Sequence, residues 1–281
     1  MTSTFAVVTD STADIAPSIA KEHAITVVPL SVSFGTETFA DGELSQAEFF
    51  SRMAAAPKLP TTSQPPVGAF VEAYGQVLER AEEVVSVHIS SRLSGTIESA
   101  SQAAEQFAGR VHIFDSLNLS WGLAFQVIEA ARASAEGLTP TAALERLDRA
   151  RDRVRMIVGV DSLDNLAKGG RIGRVSAFLG SMLNLKVTFT VDENGEFKPV
   201  ARTRGEKAAL AHTLDWVGGH VGGGRKVAFA VGHALSLERA QRLREALQTR
   251  FEGSDVFVYE AGIVISAHTG TGWSVAVLAE E

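Results

Sequence analysis

Hydroxyl-bearing side chains are concentrated directly after a short apolar run of the sequence. The segment ISSRLSGTIESA, residues 89–100, contains five Ser or Thr residues within twelve positions. The unpaired N–H groups and partial positive charge of a helix N-terminus favour an anion, and nearby hydroxyls donate further hydrogen bonds to it. The segment therefore predicts a site for a carboxylate or a phosphate, unless Ser94 or Thr96 simply caps the following helix.

Two similar hydroxyl-rich turns, residues 9–12 and 115–120, also follow strand-like apolar runs. Strand-like and helix-like patterns alternate through this part of the chain, and such alternation predicts parallel strands joined by helical crossovers. Parallel strands end at a common edge, where open α/β sheets bind their ligands. We therefore expect the three turns to lie near the same edge and to share a polar site.

Two other segments carry polar groups that suit an anion. Thr61 and Thr62 stand in the proline-bounded stretch PTTSQP, where the alternative is again a helix N-cap. His268 stands in AHTGTG, which reads as a flexible loop rich in glycine and hydroxyls. A loop histidine is either a surface residue or a group that pairs with a carboxylate or handles a proton near neutral pH.

Three arginines follow turn signals in the second half of the chain. Arg171 ends the Gly169-Gly170-Arg171 turn, which either brings a cation close to an anion or is a plain turn with a solvated arginine. Arg202 and Arg204 come after the hairpin signal Asp-Glu-Asn-Gly at residues 192–195, and their alternative is a charged strand end.

The composition excludes several classes of protein. The chain of 281 residues has no cysteine, so disulfides, thiolate zinc sites and a cysteine nucleophile are impossible. A net charge of −7 argues against a nucleic-acid binder. The Gly-x-Ser-x-Gly, P-loop, Gly-x-Gly-x-x-Gly and His-Glu-x-x-His motifs are absent, so we expect neither a cofactor nor a metal. The N-terminus has no signal-peptide pattern and no run of about 18 apolar residues occurs, which predicts a cytoplasmic protein without stable membrane insertion.

The pattern of elements changes near residues 150–160. Before that point strand and helix patterns alternate, whereas the second part combines a hairpin, helices and strands in a mixture typical of a partly antiparallel sheet. We predict an α/β protein with two domains. Residues 1–155 form an N-terminal domain with a mainly parallel sheet and helical crossovers, and residues 156–281 form a mixed α/β domain.

Taken together, these stretches resemble the DegV family. The motifs follow one another in the family's order across nearly the whole chain, and the ordered set is far more specific than any one of them. The matching pieces are Thr9-Asp10-Ser11-Thr12-Ala13-Asp14, the Thr61 to Pro65 loop, Ile89 to Ala100, Asp115-Ser116 with Gly122, Leu163 to Ile172, the Arg202/Arg204 segment and His268-Thr269-Gly270.

The resemblance implies a fold and a function. Members of that family are fatty-acid-binding proteins with two α/β domains, in which a buried apolar tunnel holds the acyl chain and the carboxyl head group sits between the domains. In many bacteria they are the non-catalytic, acyl-carrying subunit of a fatty acid kinase. A separate ATP-binding subunit phosphorylates the bound fatty acid, and the resulting acyl phosphate enters phospholipid synthesis.

The resemblance also implies roles for particular residues. Carried over motif by motif, it assigns Thr61, Thr62, Ser94 and His268 to the carboxylate of a long-chain fatty acid. It assigns Arg204, and with it Arg202, to the phosphate or to the kinase subunit, and Arg171 to the same surface or to a structural role. The family commonly has His-Thr-Gly-Pro-Gly, where this chain has Thr271 in place of the proline and therefore a loop that proline does not restrict.

Two other functions compete with the lipid carrier. A serine-dependent esterase or acyl-transferase would use Ser94 with His268, although the missing nucleophile elbow argues against it. A lipid sensor or scaffold would bind fatty acid without supporting its phosphorylation.

Overall fold

The computed structural model describes residues 3–178, 185–221 and 227–279. The chain forms two compact units, one comprising Met1–Ser31 and Thr62–Asp152 and the other Val32–Thr61 and Arg153–Glu281. They are called the N-terminal and C-terminal units below. The predicted division after residue 155 treats each domain as one continuous segment. It therefore places residues 32–61 in the N-terminal domain, whereas in the structure they belong to the C-terminal unit.

The N-terminal unit is built on a four-stranded sheet in the order β2-β1-β6-β7. All three strand pairs are parallel, as the alternation of strand and helix patterns predicts. Its elements are β1 (Ser3–Asp10), α1 (Pro17–Glu22), β2 (Ile25–Val28), α3 (Val67–Leu78), β6 (Ala81–His88), α4 (Thr96–Ala104), β7 (Val111–Asp115), α5 (Ser120–Ala135) and α6 (Pro140–Arg153).

Hydrophobic spacing explains how helix α3 packs on this sheet. Phe70, Tyr74 and Val77 recur at helical spacing and are buried against Val8 of β1 and Val84 of β6. Side chains three and four positions apart lie on one face of a helix, so this stripe meets the apolar face of the sheet. The packing fixes the strands whose carboxyl ends carry the hydroxyl-rich turns.

The C-terminal unit is built on a six-stranded mixed sheet in the order β10-β9-β8-β13-β11-β12. Only β11 and β12 form a parallel pair, which confirms the predicted partly antiparallel arrangement. Its main elements are β8 (Val154–Val160), α7 (Asp164–Lys168), β9 (Leu185–Val191), β10 (Phe197–Arg204), α8 (Glu206–His220), β11 (Val227–Ala234), α9 (Leu237–Arg250), β12 (Asp255–Glu260), α10 (Ile263–Thr269) and β13 (Gly272–Ala279).

The strand directions bring the C-terminal motifs to one edge of this sheet. Strands β8, β10, β11 and β12 run the same way, so their carboxyl ends lie at the edge where β9 and β13 begin. The loop after β8 carries Arg171, β10 ends at Arg204, and His268 precedes β13. The glycine-rich stretch at residues 218–224 predicts a flexible loop. It lies partly outside the described residues, and its first three residues complete α8.

Residues 32–61 belong to the C-terminal unit because two polar side chains dock them there. They contain β3 (Ser31–Phe34), β4 (Glu37–Ala40) and α2 (Gln46–Ala55), and the small sheet has the order β4-β3-β5, with β5 at Thr61–Ser63. The buried amide of Gln46 donates to the carbonyls of His233 and Ala261 at 3.1 and 2.7 Å and accepts from the Leu235 N–H at 2.6 Å. Asp41 accepts from the Ile263 N–H at 2.9 Å, at the start of α10.

Local sequence signals agree with several boundaries and miss others. The apolar run at residues 25–34 predicts a single strand, but the structure has two, β2 and β3, because Pro29 interrupts the run. The predicted hairpin is confirmed: β9 and β10 pair in antiparallel fashion, and Asp192 accepts from the Asn194 N–H at 3.0 Å within the turn. None of the helices in the described parts of the chain combines the length and the apolar character that a membrane crossing requires.

Candidate functional site

Asp10 organises the edge of the N-terminal unit at which β1 and β6 end. It is fully buried, and one carboxylate oxygen accepts hydrogen bonds from the N–H of Thr12, at 3.1 Å, and from the Thr12 hydroxyl. The other oxygen lies 2.9 Å from Nδ1 of His88 and accepts from the Ile89 N–H at 3.0 Å. The carboxylate therefore ties the turn after β1 to the start of the hydroxyl-rich segment 89–100.

The three hydroxyl-rich turns lie together at this edge, as the parallel topology predicts. The Ser90 N–H donates to the Asn118 carbonyl at 2.9 Å, and the Ser91 N–H donates to the Asp115 carboxylate. Ser120 completes the connection by donating its hydroxyl to Asp14, which follows the first turn. The turns thus form one hydrogen-bonded group rather than three separate caps.

Most hydroxyls of these turns are buried and bonded inside the protein, whereas Ser94 is half-buried. The Ser94 hydroxyl lies 2.8 Å from the Thr96 hydroxyl and accepts from the Thr96 N–H at 3.3 Å. Gly95, rather than Ser94 or Thr96, occupies the N-cap position of α4. Neither residue is therefore the N-cap that the alternative reading of this segment required. The rotatable Ser94 hydroxyl stands beside the first N–H of the helix, where an anion is favoured.

Thr61 and Thr62, predicted in a loop, lie on the short strand β5, and the segment reaches the same helix start through Gln64, directly after this strand. The Gln64 amide donates to the Ser99 hydroxyl at 2.8 Å. It lies across Gly95 so closely that a Cβ atom there would be 2.2 Å from Gln64 Oε1. Because Gly95 has no side chain, the Gln64 amide can pack directly against the segment that carries Ser94. Thr61 itself is exposed and Thr62 is half-buried.

In the C-terminal unit the glycine turn and the histidine motif are one structure. Helix α7 ends in a turn in which the Gly169 N–H donates to the Asn165 carbonyl at 2.8 Å and the Arg171 N–H donates to the Leu166 carbonyl at 3.0 Å. A Cβ atom on Gly169 would lie 2.5 Å from Nδ1 of His268. The imidazole therefore packs directly on this glycine, a contact that neither motif reveals alone.

His268 lies on helix α10, so its predicted placement in a flexible loop is wrong. Burial and, to a smaller extent, the positive charge of Arg171 together lower the pKa of His268 to about 4. The imidazole is neutral at neutral pH. It can give an anion one hydrogen bond, but it brings no charge of its own.

The exposed arginines lie at the same edge of the six-stranded sheet. Arg202 and Arg204 are both exposed on β10, which is an edge strand, and alternate residues of a strand point to the same side. Arg171 is exposed in the turn after α7, where its guanidinium donates to the Gly169 carbonyl at 2.9 Å. The three guanidinium groups place positive charge at the surface along this edge.

A series of hydrogen bonds in the N-terminal unit resembles a catalytic triad but is fully buried. The Ser86 hydroxyl lies 2.7 Å from Nε2 of His88, whose Nδ1 lies 2.9 Å from Asp10, and Tyr74 bonds to the same Ser86 hydroxyl at 2.9 Å. All four residues are 0% exposed. A substrate has no access to this serine, so the series stabilises the fold.

Comparison with known proteins identifies the family of this chain. A family described as "Uncharacterised protein, DegV family" matches residues 4–280. The chain belongs to the DegV family. The DegV domain-containing protein YejH of Lactococcus lactis is 35% identical to it over 273 residues, which cover 96% of this chain and 98% of YejH.

Solved structures of DegV proteins share the fold. A DegV family protein from Thermus thermophilus, described by its fatty acid binding, matches with a TM-score of 0.92 at 33% identity, covering 98% of this chain and 99% of its own. DegV of Bacillus subtilis, described as a fatty acid binding protein, matches with a TM-score of 0.89 at 31% identity, covering 99% of this chain and 100% of its own. The two-domain α/β DegV fold predicted from the motifs is confirmed.

Proposed function

We propose that this DegV protein binds a long-chain fatty acid and that Thr61, Thr62, Ser94 and His268 bind its carboxylate. The observation that carries the proposal is the likeness to the Thermus thermophilus protein, which is described by its fatty acid binding and matches at a TM-score of 0.92. The same lipid is expected here because the identity of 33% extends over 98% of the chain.

The chemistry of the four side chains suits a carboxylate. Three hydroxyls and a neutral imidazole donate hydrogen bonds without bringing a buried counter-charge, which would cost free energy unless it were fully paired. Hydrogen bonds to a charged group are worth about 1.5–3 kcal/mol each. The acyl chain adds about 0.8 kcal/mol per buried CH₂, so a long chain in a buried apolar tunnel supplies most of the affinity.

We also propose that the protein is not itself an enzyme but presents the fatty acid to a separate ATP-dependent fatty acid kinase subunit in the cytoplasm. Arg204, Arg202 and Arg171 would contact the phosphate or the kinase subunit. Their exposure supports this role, since a partner can reach them without rearranging the fold. The acyl phosphate would then leave for phospholipid synthesis.

The first test is mass spectrometry of an organic extract of the purified protein, compared with an unrelated protein prepared in the same way. We expect a stoichiometric long-chain fatty acid in this protein alone. An empty extract, followed by no binding of added oleate, would refute the proposed function. Turnover of an activated ester that is lost in Ser94→Ala would favour the esterase instead.

The second test is a matched pair of serine variants. Ser94→Ala should weaken oleate binding about 10- to 100-fold, because it removes a donor to a charged group worth about 1.5–3 kcal/mol. Ser91→Ala, in the same segment but exposed, should leave the affinity unchanged. Equal affinities for both variants would remove Ser94 from the site. Adding a kinase subunit with ATP then shows whether the bound lipid is phosphorylated.

A further inference from the structure

Thr271, three residues after His268, is hydrogen-bonded to Asp161, the residue that directly follows strand β8. Its hydroxyl donates to a carboxylate oxygen of Asp161 at 2.8 Å, and the Asp161 N–H donates back to the Thr271 carbonyl at 3.3 Å. Gly270, between the histidine helix and Thr271, has a φ of +66°, which permits the sharp change of direction. Two hydrogen bonds running in opposite directions thus join residues 110 positions apart.

The Asp161 carboxylate is fixed in the orientation that this contact requires. Lys186 Nζ lies 2.6 Å from one of its oxygens, and the Arg239 guanidinium contacts both oxygens at 2.8 and 3.0 Å. Burial alone would raise the pKa of Asp161, but the hydrogen bonds from Lys186, Arg239 and Thr271 lower it below its usual value. An ionised, bidentate acceptor binds the Thr271 hydroxyl more strongly than a neutral group would.

The chain on the other side of His268 is held by helix α7 and the turn that ends it. The Asn165 amide donates to the Ala267 carbonyl at 3.3 Å, and Gly169 supports the imidazole itself. His268 is therefore bracketed, with Ala267 bound on one side and Thr271 on the other. Asp161 directly follows β8, and Asn165 lies on helix α7, the next element of the chain.

We propose that Thr271 is a positioning residue for His268. Its hydrogen bond to Asp161 holds the end of the histidine helix in place, and this keeps the imidazole against Gly169 in the orientation from which it binds the head group. The inference rests on the proposed function of His268.

The test compares Thr271→Val, which keeps the shape and removes the hydroxyl, with Thr271→Ser, which keeps the hydroxyl. Thr249→Val is the control, since that threonine is exposed near the end of α9 and bonds only within its own helix. We expect Thr271→Val to weaken oleate binding about tenfold, which corresponds to about 1.4 kcal/mol. Thr271→Ser and Thr249→Val should bind like the unaltered protein.

A double-mutant cycle separates positioning from general destabilisation. If Thr271 acts through His268, Thr271→Val should cause no further loss of affinity in a His268→Asn background. A full tenfold loss in that background would overturn the proposal, as would an unchanged affinity of Thr271→Val alone. Should Thr271→Val not fold, Thr271→Ala takes its place in the cycle.

A spectroscopic readout keeps this inference apart from the function itself. The imidazole ¹H–¹³C resonance of His268 is identified by its loss in His268→Asn, and no lipid is required to observe it. It should shift in Thr271→Val and stay in place in Thr249→Val. A resonance that does not move would refute the positioning role even if oleate binds. Failure of the unaltered protein to bind oleate would refute the proposed function, but the effect of Thr271→Val on the His268 resonance could still be measured.

Discussion

Replacing Gly169 by alanine tests the contact that joins the glycine turn to the histidine helix. The backbone at Gly169 has a φ of −77°, which alanine adopts without strain. The added Cβ, however, would lie 2.5 Å from Nδ1 of His268 and 2.9 Å from the Asn165 carbonyl oxygen. Both distances are below van der Waals contact, so the imidazole, the turn or both must shift.

The size of the effect follows from these distances. Overpacking of this kind typically costs about 1–3 kcal/mol of folding free energy. If His268 binds the carboxylate as proposed, displacing the imidazole would also remove one hydrogen bond to a charged group, worth about 1.5–3 kcal/mol, and weaken oleate binding about 10- to 100-fold. We expect both losses in Gly169→Ala.

Gly170→Ala is the matched control because it adds the same methyl group one residue further along. Gly170 has a φ of +72° and no atom within 4 Å of its Cβ position. Alanine there is strained by about 1–2 kcal/mol, yet it touches nothing. Urea denaturation should show comparable losses of unfolding free energy in the two variants. Isothermal titration with oleate should show weaker binding only for Gly169→Ala. Equal affinities in the two variants would refute the packing argument.

Two further predictions follow from buried polar groups. The pKa of His268 is lowered to about 4, so its NMR titration should show a neutral imidazole at pH 6. The folded protein should also lose stability as the pH falls from about 6.5 towards 4, because the histidine of the unfolded chain binds a proton more readily. A titration midpoint near 6.5 would contradict the burial of this side chain. Ser86→Ala leaves Tyr74 and His88 without their shared partner, and urea denaturation should show a loss of about 1–3 kcal/mol. Ser101→Ala, on the partly exposed surface of α4, should cost far less unfolding free energy. A similar loss in both variants would mean that the buried hydrogen bonds of Ser86 add no stability beyond that of a partly exposed serine.

The sequence determined the features that depend on neighbouring residues. The alternation of strand and helix patterns predicts the parallel sheet of the N-terminal unit, and the spacing of Phe70, Tyr74 and Val77 predicts the buried face of α3. The Asp-Glu-Asn-Gly turn predicts the β9–β10 hairpin. Each of these signals operates over a few residues, within the reach of local backbone preferences and side-chain periodicity.

The tertiary structure alone decided which distant residues meet. Gln46 docks its segment onto the C-terminal unit by bonding to a carbonyl 187 positions away, and nothing in its local sequence marks that partner. Gly169 looks like an ordinary turn glycine until His268 is found packed against it. His268 itself was expected in a loop, because a seven-residue helix ending at glycine has too few residues for a periodic pattern. Contacts of this kind depend on how whole elements pack, and packing leaves no signature in either of the separated stretches of sequence that it joins.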